Sequence, residues 1–365
     1  MQTTVVMKTG PDQEFTFAEV DLEEPRGDEV LVRVVATGLC HTDLTVPTML
    51  PPEMFPNVFG HEGAGVVEAV GDDVNGIEVG DHVVMSLRSC RSCAQCGAGR
   101  FGYCESSLFL NYMGMRLDGS TTYSRDGAPV FGSFFGQSSF SQHAIAYADN
   151  VVVVDRELDL TRIAPYGCGF QTGAGAVLNV LRAQPEDSLA VYGAGAVGLA
   201  AIAAAAGAGV GTIVAVDVLP SRLRTAERYG ALGINPDELG ESSLVDAVKE
   251  ATVGGASGAI DTTSVPAVLK QAAQALAVRG ELVVLALGAP EFPVDAIDMM
   301  QNGKVIRGSV EGDSDPLEMV PRLLAMNAAG RFDVDGLVQP YPFAEINEAV
   351  ADVAAGSVVK PVLVW

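Results

Sequence analysis

The rhythm of hydrophobic and polar positions changes partway along the chain. Up to about residue 170, short apolar runs at residues 30–36 (V-L-V-R-V-V-A), 65–70 (G-V-V-E-A-V) and 81–85 (D-H-V-V-M) alternate with Gly, Pro and Asp turns. This pattern predicts the short strands of a compact, barrel-like domain with long loops. After Ala190 strands alternate with helices. Apolar runs reach Tyr192, Asp217, Asp261 and Gly288, and a helical segment follows each. That order predicts a doubly wound parallel sheet. Residues 189–216 carry no charge over a length that would span a bilayer. Three early glycines and a Gly-rich middle break any single helix there, so the expectation is a buried strand, a glycine turn, an Ala-rich helix and a second buried strand. From about residue 315 helix and strand return, with residues 343–355 helical and 361–365 a closing strand. Residues 106–135 are expected to form a long Gly- and Ser-rich loop. No internal repeat is present.

With 365 residues, the chain is long enough for two domains, each with its own core. Charge narrows the range of partners: 22 Lys+Arg against 46 Asp+Glu give a net charge of −24, which repels phosphate backbones and anionic membrane surfaces. Neither nucleic acid nor membrane is an expected partner. The first residues lack a cationic patch followed by an apolar run, so a cytoplasmic protein with reduced thiols is expected.

Residues 193–198 spell G-A-G-A-V-G at the end of a predicted strand and the start of a predicted helix. Gly193, Gly195 and Gly198 let a pyrophosphate approach the backbone, and the helix N-terminus offers N–H donors. Nineteen residues beyond Gly198 stands Asp217, suited to accept from the adenosine ribose hydroxyls and to repel a 2′-phosphate. NAD is therefore favoured over NADP. Arg222 and Arg224 weaken that preference, because an arginine can pair with a 2′-phosphate.

The cysteines divide into a run and two singles. Cys90, Cys93, Cys96 and Cys104 follow C-x2-C-x2-C-x7-C, four soft thiolates that can close a structural zinc tetrahedron. Its main rival is an iron–sulfur ligand set, but the bacterial ferredoxin run closes with C-x3-C-P, whereas seven residues intervene here and Glu105 follows. Cys40 in G-L-C-H-T-D, His61 and Glu62 in G-H-E-G-A-G, and Cys168 in G-C-G-F-Q-T-G-A-G-A fit a catalytic zinc that keeps one position open. Taken singly, each is as readily a buried core residue. His82 and His143 have no such company.

These motifs, in this order, resemble the zinc-containing medium-chain alcohol dehydrogenases over essentially the full length, and most of all the aryl (benzyl-type) members. F-G-Q-S-S-F-S-Q-H and F-A-E-I-N-E-A-V add to the match. The resemblance implies an α/β protein with a GroES-like β-barrel catalytic domain (residues 1–168 and 312–365) carrying both zinc sites. A Rossmann NAD-binding domain (residues 169–311) would complete it, in a homodimer or homotetramer. It implies oxidation of a primary alcohol to its aldehyde by zinc-alkoxide formation and hydride transfer to NAD, with two zincs per subunit. Cys40, His61 and Cys168 would hold the catalytic zinc, with Glu62 able to approach it and Asp43 orienting His61. Thr42 would take the alcohol proton, and His41 and Lys360 would meet the pyrophosphate. Thr172 and Val197 would back the nicotinamide, and Arg222 would contact the ribose. Thr45 stands where many relatives carry a relay histidine, so the last proton step is expected on water or His41. Phe59, Phe134 and Phe135 would wall the substrate pocket, with Ser86 leaving room for a ring.

Three alternatives compete. A thiol-adduct (S-hydroxymethyl glutathione or mycothiol type) formaldehyde dehydrogenase needs charges for its substrate, yet residues 51–58 hold only Glu53. An electron-transfer or metal-binding protein would use the four-Cys loop alone. A zinc-ribbon nucleic-acid module conflicts with the charge.

Overall fold

In the computed structural model, which describes all 365 residues, the chain divides into two compact units. Unit one comprises Met1–Cys168, Asp315–Pro321 and Asp335–Trp365; unit two comprises Gly169–Ser314 and Arg322–Val334. The expected tail assignment therefore changes: residues 312–314 and 322–334 belong with the second unit, where Phe332 packs edge-on against Phe170 with ring centroids 6.5 Å apart.

Unit one is built on two sheets. The larger runs in the order Val151–Val154, His82–Met85, Gly63–Val70, Glu29–Gly38, Lys360–Val364 and Val338–Pro342, and His143–Tyr147 also pairs with Glu29–Gly38. Its central strand, Glu29–Gly38, separates two apolar cores: Leu31 faces one, while Val30, Val32 and Val34 face the other. The smaller sheet runs Asn57–Val58, Gln2–Lys8, Thr16–Leu22, Tyr123–Arg125 and Ala128–Val130. Alternation is clearest in Thr16–Leu22, where Ala18, Val20 and Leu22 are buried and Phe17, Glu19 and Asp21 face out. The expected loop at residues 106–135 is more ordered than its composition implied. It contains the helix Ser107–Tyr112 and a hairpin of Tyr123–Arg125 with Ala128–Val130.

Unit two holds a six-stranded parallel sheet in the order Leu232–Ile234, Thr212–Val216, Ser188–Tyr192, Ala256–Asp261, Leu276–Val284, Val305–Gly308. The uncharged stretch at residues 189–216 resolves as expected into strand, turn, the helix Ala196–Ala208 and strand. Strand order reverses at Ser188–Tyr192, which carries the glycine turn at its C-terminal end. Such a reversal leaves a crevice at the strand ends where ligands bind. No helix is long and apolar enough to cross a membrane.

Candidate active site and metal centres

Cys40 caps the helix His41–Met49, and Asp43 reaches back one turn so that its Oδ2 accepts from the Cys40 N–H at 3.0 Å. Its other oxygen accepts from the Gly60 N–H at 3.1 Å and lies 2.8 Å from His61 Nδ1. One buried carboxylate thus fixes two segments of chain. A carboxylate at Nδ1 holds the proton there and leaves Nε2 as a lone pair. That Nε2 is buried and has no hydrogen-bond partner. Cys168 follows the turn Ala164–Gly167, whose Gly167 carbonyl accepts from Ser86 Oγ at 2.5 Å. The donor atoms of Cys40, His61, Glu62 and Cys168 all lie within 4.8 Å of one another.

The charged and polar groups of this cluster shift one another, and the lowered thiol is the change that suits a cation. The Cys40 thiol is held well below its usual range, first by a hydrogen bond with Cys168 and then by the charges of Lys360 and His61, which together outweigh burial. Burial alone would lower the His61 pKa, but Asp43 outweighs it and raises it well above normal. Burial pushes Glu62 up to about 7 against the pull of Lys360. An orphaned imidazole nitrogen beside two thiols and a carboxyl group is a donor set that fits zinc.

Several expected roles shift. Lys360, expected at the cofactor pyrophosphate, is 2% exposed, with Nζ 2.7 and 2.6 Å from the two Glu62 oxygens and 3.3 Å from the Leu39 carbonyl. A buried ammonium needs such a partner, and Glu62 occupies its charge. Phe59 and Phe134 are fully buried and Phe135 nearly so, within the apolar core of the first unit. Phe134 and Phe135 pack against the imidazole, their ring centroids 5.6 and 4.6 Å from that of His61, while Phe59 packs on Phe134. Ser86 is likewise buried and holds the turn before Cys168 rather than lining open space. The half-buried aromatic neighbours are Tyr112, 5.3 Å from the Phe135 ring, and Phe55, 6.4 Å from Phe59. Sequence reasoning missed both. It also missed Gln137, whose side chain donates to the His61 carbonyl at 2.9 Å and accepts from Gly63 N–H at 3.0 Å. At the helix start, His41 is exposed and Thr42 half-buried, its Oγ1 3.8 Å from Cys40 Sγ; Thr45 is half-buried one turn on.

The other four cysteines also bring their sulfurs within 4.8 Å of one another. Backbone N–H groups point at them: Cys93 N at Cys90 Sγ (3.4 Å), Cys90 N at Cys104 Sγ (3.3 Å), and Cys96 and Glu105 N at Cys93 Sγ (both 3.5 Å). A backbone hydrogen bond from Ser92 leads in lowering Cys90 to about 6, and one from Cys96 leads in lowering Cys93. Burial raises Cys96 to about 12 and also raises Cys104. This closed all-sulfur set fits a structural zinc. Within the loop, Arg91 makes a two-pronged pair with Asp315 at 2.7 and 2.9 Å and stacks over Phe101.

In the second unit Gly193 adopts φ +88°, and a Cβ on Gly198 would fall 1.9 Å from the Gly193 carbonyl oxygen. Both positions require glycine. Gly195 caps the helix Ala196–Ala208, and Val197 is half-exposed in its first turn. Asp217 accepts from the Ala194 N–H at 2.7 Å and the Leu219 N–H at 2.8 Å, with Arg222 3.9 Å away. The acid thereby braces the glycine turn as well as standing at the end of the next strand. Thr172, on the helix Gly169–Gly175, donates to Glu311 at 3.2 Å.

Comparison with known proteins agrees with this arrangement. The family model for the alcohol dehydrogenase GroES-like domain matches residues 26–156, and that for zinc-binding dehydrogenases matches residues 196–326. The geraniol dehydrogenase of Castellaniella defragrans is 41% identical over 350 residues, covering 95% of this chain and 93% of its own. The S-(hydroxymethyl)glutathione dehydrogenase of Haemophilus influenzae is 31% identical over 360 residues, covering 97% and 94%. The crystal structure of benzyl alcohol dehydrogenase from Acinetobacter calcoaceticus superposes with a TM-score of 0.94 at 38% identity, covering 100% of this chain and 99% of that one. With a GroES-like domain followed by a Rossmann-type parallel sheet, the chain belongs to the zinc-containing medium-chain alcohol dehydrogenases, oxidoreductases that act on alcohols.

Proposed function

We propose that the protein is an NAD-dependent dehydrogenase that interconverts a primary aromatic or allylic alcohol and its aldehyde, using one catalytic and one structural zinc per chain. The observation that carries this reading is the buried, unpartnered His61 Nε2 among Cys40, Cys168 and Glu62, with Asp43 fixing the opposite ring nitrogen. Bound at Cys40, His61 and Cys168, zinc would supply Lewis acidity that lowers the pKa of an alcohol hydroxyl, and NAD would supply the hydride acceptor. Oxidation removes a hydride from carbon and a proton from oxygen. In this proposal Thr42 receives that proton, and the exposed His41 or water passes it to solvent, since Thr45 offers no imidazole. Asp43 keeps the proton on His61 Nδ1 throughout. The glycine turn would take the pyrophosphate, Asp217 the adenosine ribose with Arg222 beside it, and Thr172 and Val197 the nicotinamide. A cytoplasmic homodimer or homotetramer is part of the same proposal, in keeping with six free thiols.

The names of the geraniol and benzyl alcohol relatives support an allylic or aromatic substrate. The S-(hydroxymethyl)glutathione dehydrogenases favour a second reading, oxidation of a thiol adduct. Assays of benzyl alcohol, geraniol and S-hydroxymethylglutathione with NAD and NADP separate the two. The proposal expects the apolar alcohols with NAD to dominate in kcat/KM, and a preference for the thiol adduct would replace it.

A further inference from the structure

One buried acid in the second unit has no task in the reaction described so far. Glu311 lies beyond the strand Val305–Gly308, 6% exposed, at φ +52°. Gly312 and Asp313 continue this left-handed run at φ +64° and +51°. Glu311 and Asp313 carry side chains in this strained region and persist there only where the surroundings hold them. Here Gly312 provides the hold. A Cβ on it would fall 2.6 Å from the Gly175 Cα and 2.8 Å from the carbonyl oxygens of Gln171 and Thr172. Asn179 donates to the Gly312 carbonyl at 3.2 Å, and Ser309 pairs with Asp313 at 2.8 Å. The turn is thus pressed onto the helix Gly169–Gly175 and carries Glu311 to its side chains. Gln171 Nε2 and Thr172 Oγ1 both donate to Glu311 Oε2, at 2.9 and 3.2 Å, so one carboxyl oxygen serves both side chains as acceptor.

Thr172 is the side chain placed behind the nicotinamide in the proposed function. That ring is cationic in NAD⁺ and neutral in NADH, and a buried carboxylate one hydrogen bond from Thr172 acts on the two forms differently. We infer that Glu311 sets the relative affinity of the site for the two forms of the cofactor, strengthening NAD⁺ against NADH. The inference rests on the NAD reading of the second unit. Its benefit lies in the binding steps, capture of NAD⁺ and release of NADH, because the same charge disfavours the neutral ring during hydride transfer. Glu311 is a positioning and charge-setting residue, acting beside Thr172 rather than on the alcohol.

Dissociation constants for NAD⁺ and NADH, measured by calorimetry on the wild type and on Glu311→Gln, Glu311→Ala and Thr172→Val, test it. Gln keeps the size and an acceptor oxygen while removing the charge. Both Glu311 variants are expected to raise the NAD⁺/NADH ratio of Kd values about tenfold, a difference of about 1.4 kcal/mol, mainly by weakening NAD⁺. Thr172→Val keeps the charge and is expected to move the ratio less than about twofold. Glu311 variants that weaken both forms in equal proportion would reduce the residue to a structural prop and overturn the inference alone. Wild-type protein that binds neither form would overturn the NAD reading with it.

Discussion

Asp43 concentrates more of the site than any other single residue, because its two oxygens take Cys40 N, Gly60 N and His61 Nδ1. Asp43→Ala leaves two backbone donors and the imidazole without their acceptor. Catalytic-site zinc affinity is expected to fall by about 10–100-fold, as for other residues that orient a metal ligand. Chelator competition followed by elemental analysis checks this, with the four-Cys zinc as internal standard. A second residue carries a pH signature. Burial raises the Asp149 carboxyl from 3.8 to about 6, against the pull of Arg88. Between those values the folded state binds more protons than the unfolded one, so this group's contribution to stability falls as pH rises through the window. Asp149→Asn has no such proton. The wild type is therefore expected to gain on the variant as pH falls from about 7 to 5, by about 1 kcal/mol, in paired denaturant titrations. At this scale the four-Cys cluster was legible in the sequence because its spacing is local, whereas Cys40 and Cys168 are brought together only by the fold. Lys360 and Glu62 are 298 positions apart, and Arg91 and Asp315 are 224 apart, so nothing local announces either pair. The contact of Phe135 with His61 was hidden for a related reason: its ring turns onto the imidazole from a backbone at φ +52°, a conformation its residue type does not suggest.

Among the elements, the glycine turn makes the sharpest demand. The Gly198 position packs directly on the Gly193 carbonyl, so Gly198→Ala must displace either the turn or the helix Ala196–Ala208. The variant is expected to lose at least about tenfold in NAD affinity, from the displaced N–H donors, while keeping its full zinc content. Fluorescence titration with NADH alongside metal analysis separates this local effect from general unfolding. Central strands were readable because both of their faces are buried, leaving continuous apolar runs. The edge strands Leu232–Ile234 and Val305–Gly308 escaped prediction. They are short and largely exposed, and carry neither an apolar run nor a buried alternation. The hairpin and helix within residues 106–135 escaped because turn-forming composition marked the segment as loop, whereas Tyr123 and Leu110 anchor it in apolar cores.

For the whole molecule, the net charge of −24 is a standing repulsion that compactness must overcome. The unfolding temperature is expected to rise as NaCl increases from about 0.05 to 0.5 M, where screening shortens to a few ångströms. A flat or falling response would mean that pairs such as Arg116 with Glu29 and Glu23 outweigh the repulsion. The difference between the units, clustered Cys, His and Glu donors in the first and a Rossmann-type parallel sheet in the second, was visible in the sequence through motif order. The return of residues 322–334 to the second unit was not, since a helix continuing past Pro321 gives no sign of changing its surroundings. The central claim joins two donor sets to one activity, so the most direct measurement is zinc per chain in preparations whose NAD-dependent oxidation of benzyl alcohol or geraniol has been quantified. The account predicts two zincs per chain at full activity, with activity lost as the site at Cys40, His61 and Cys168 is emptied. Full activity with fewer than two zincs per chain would contradict it.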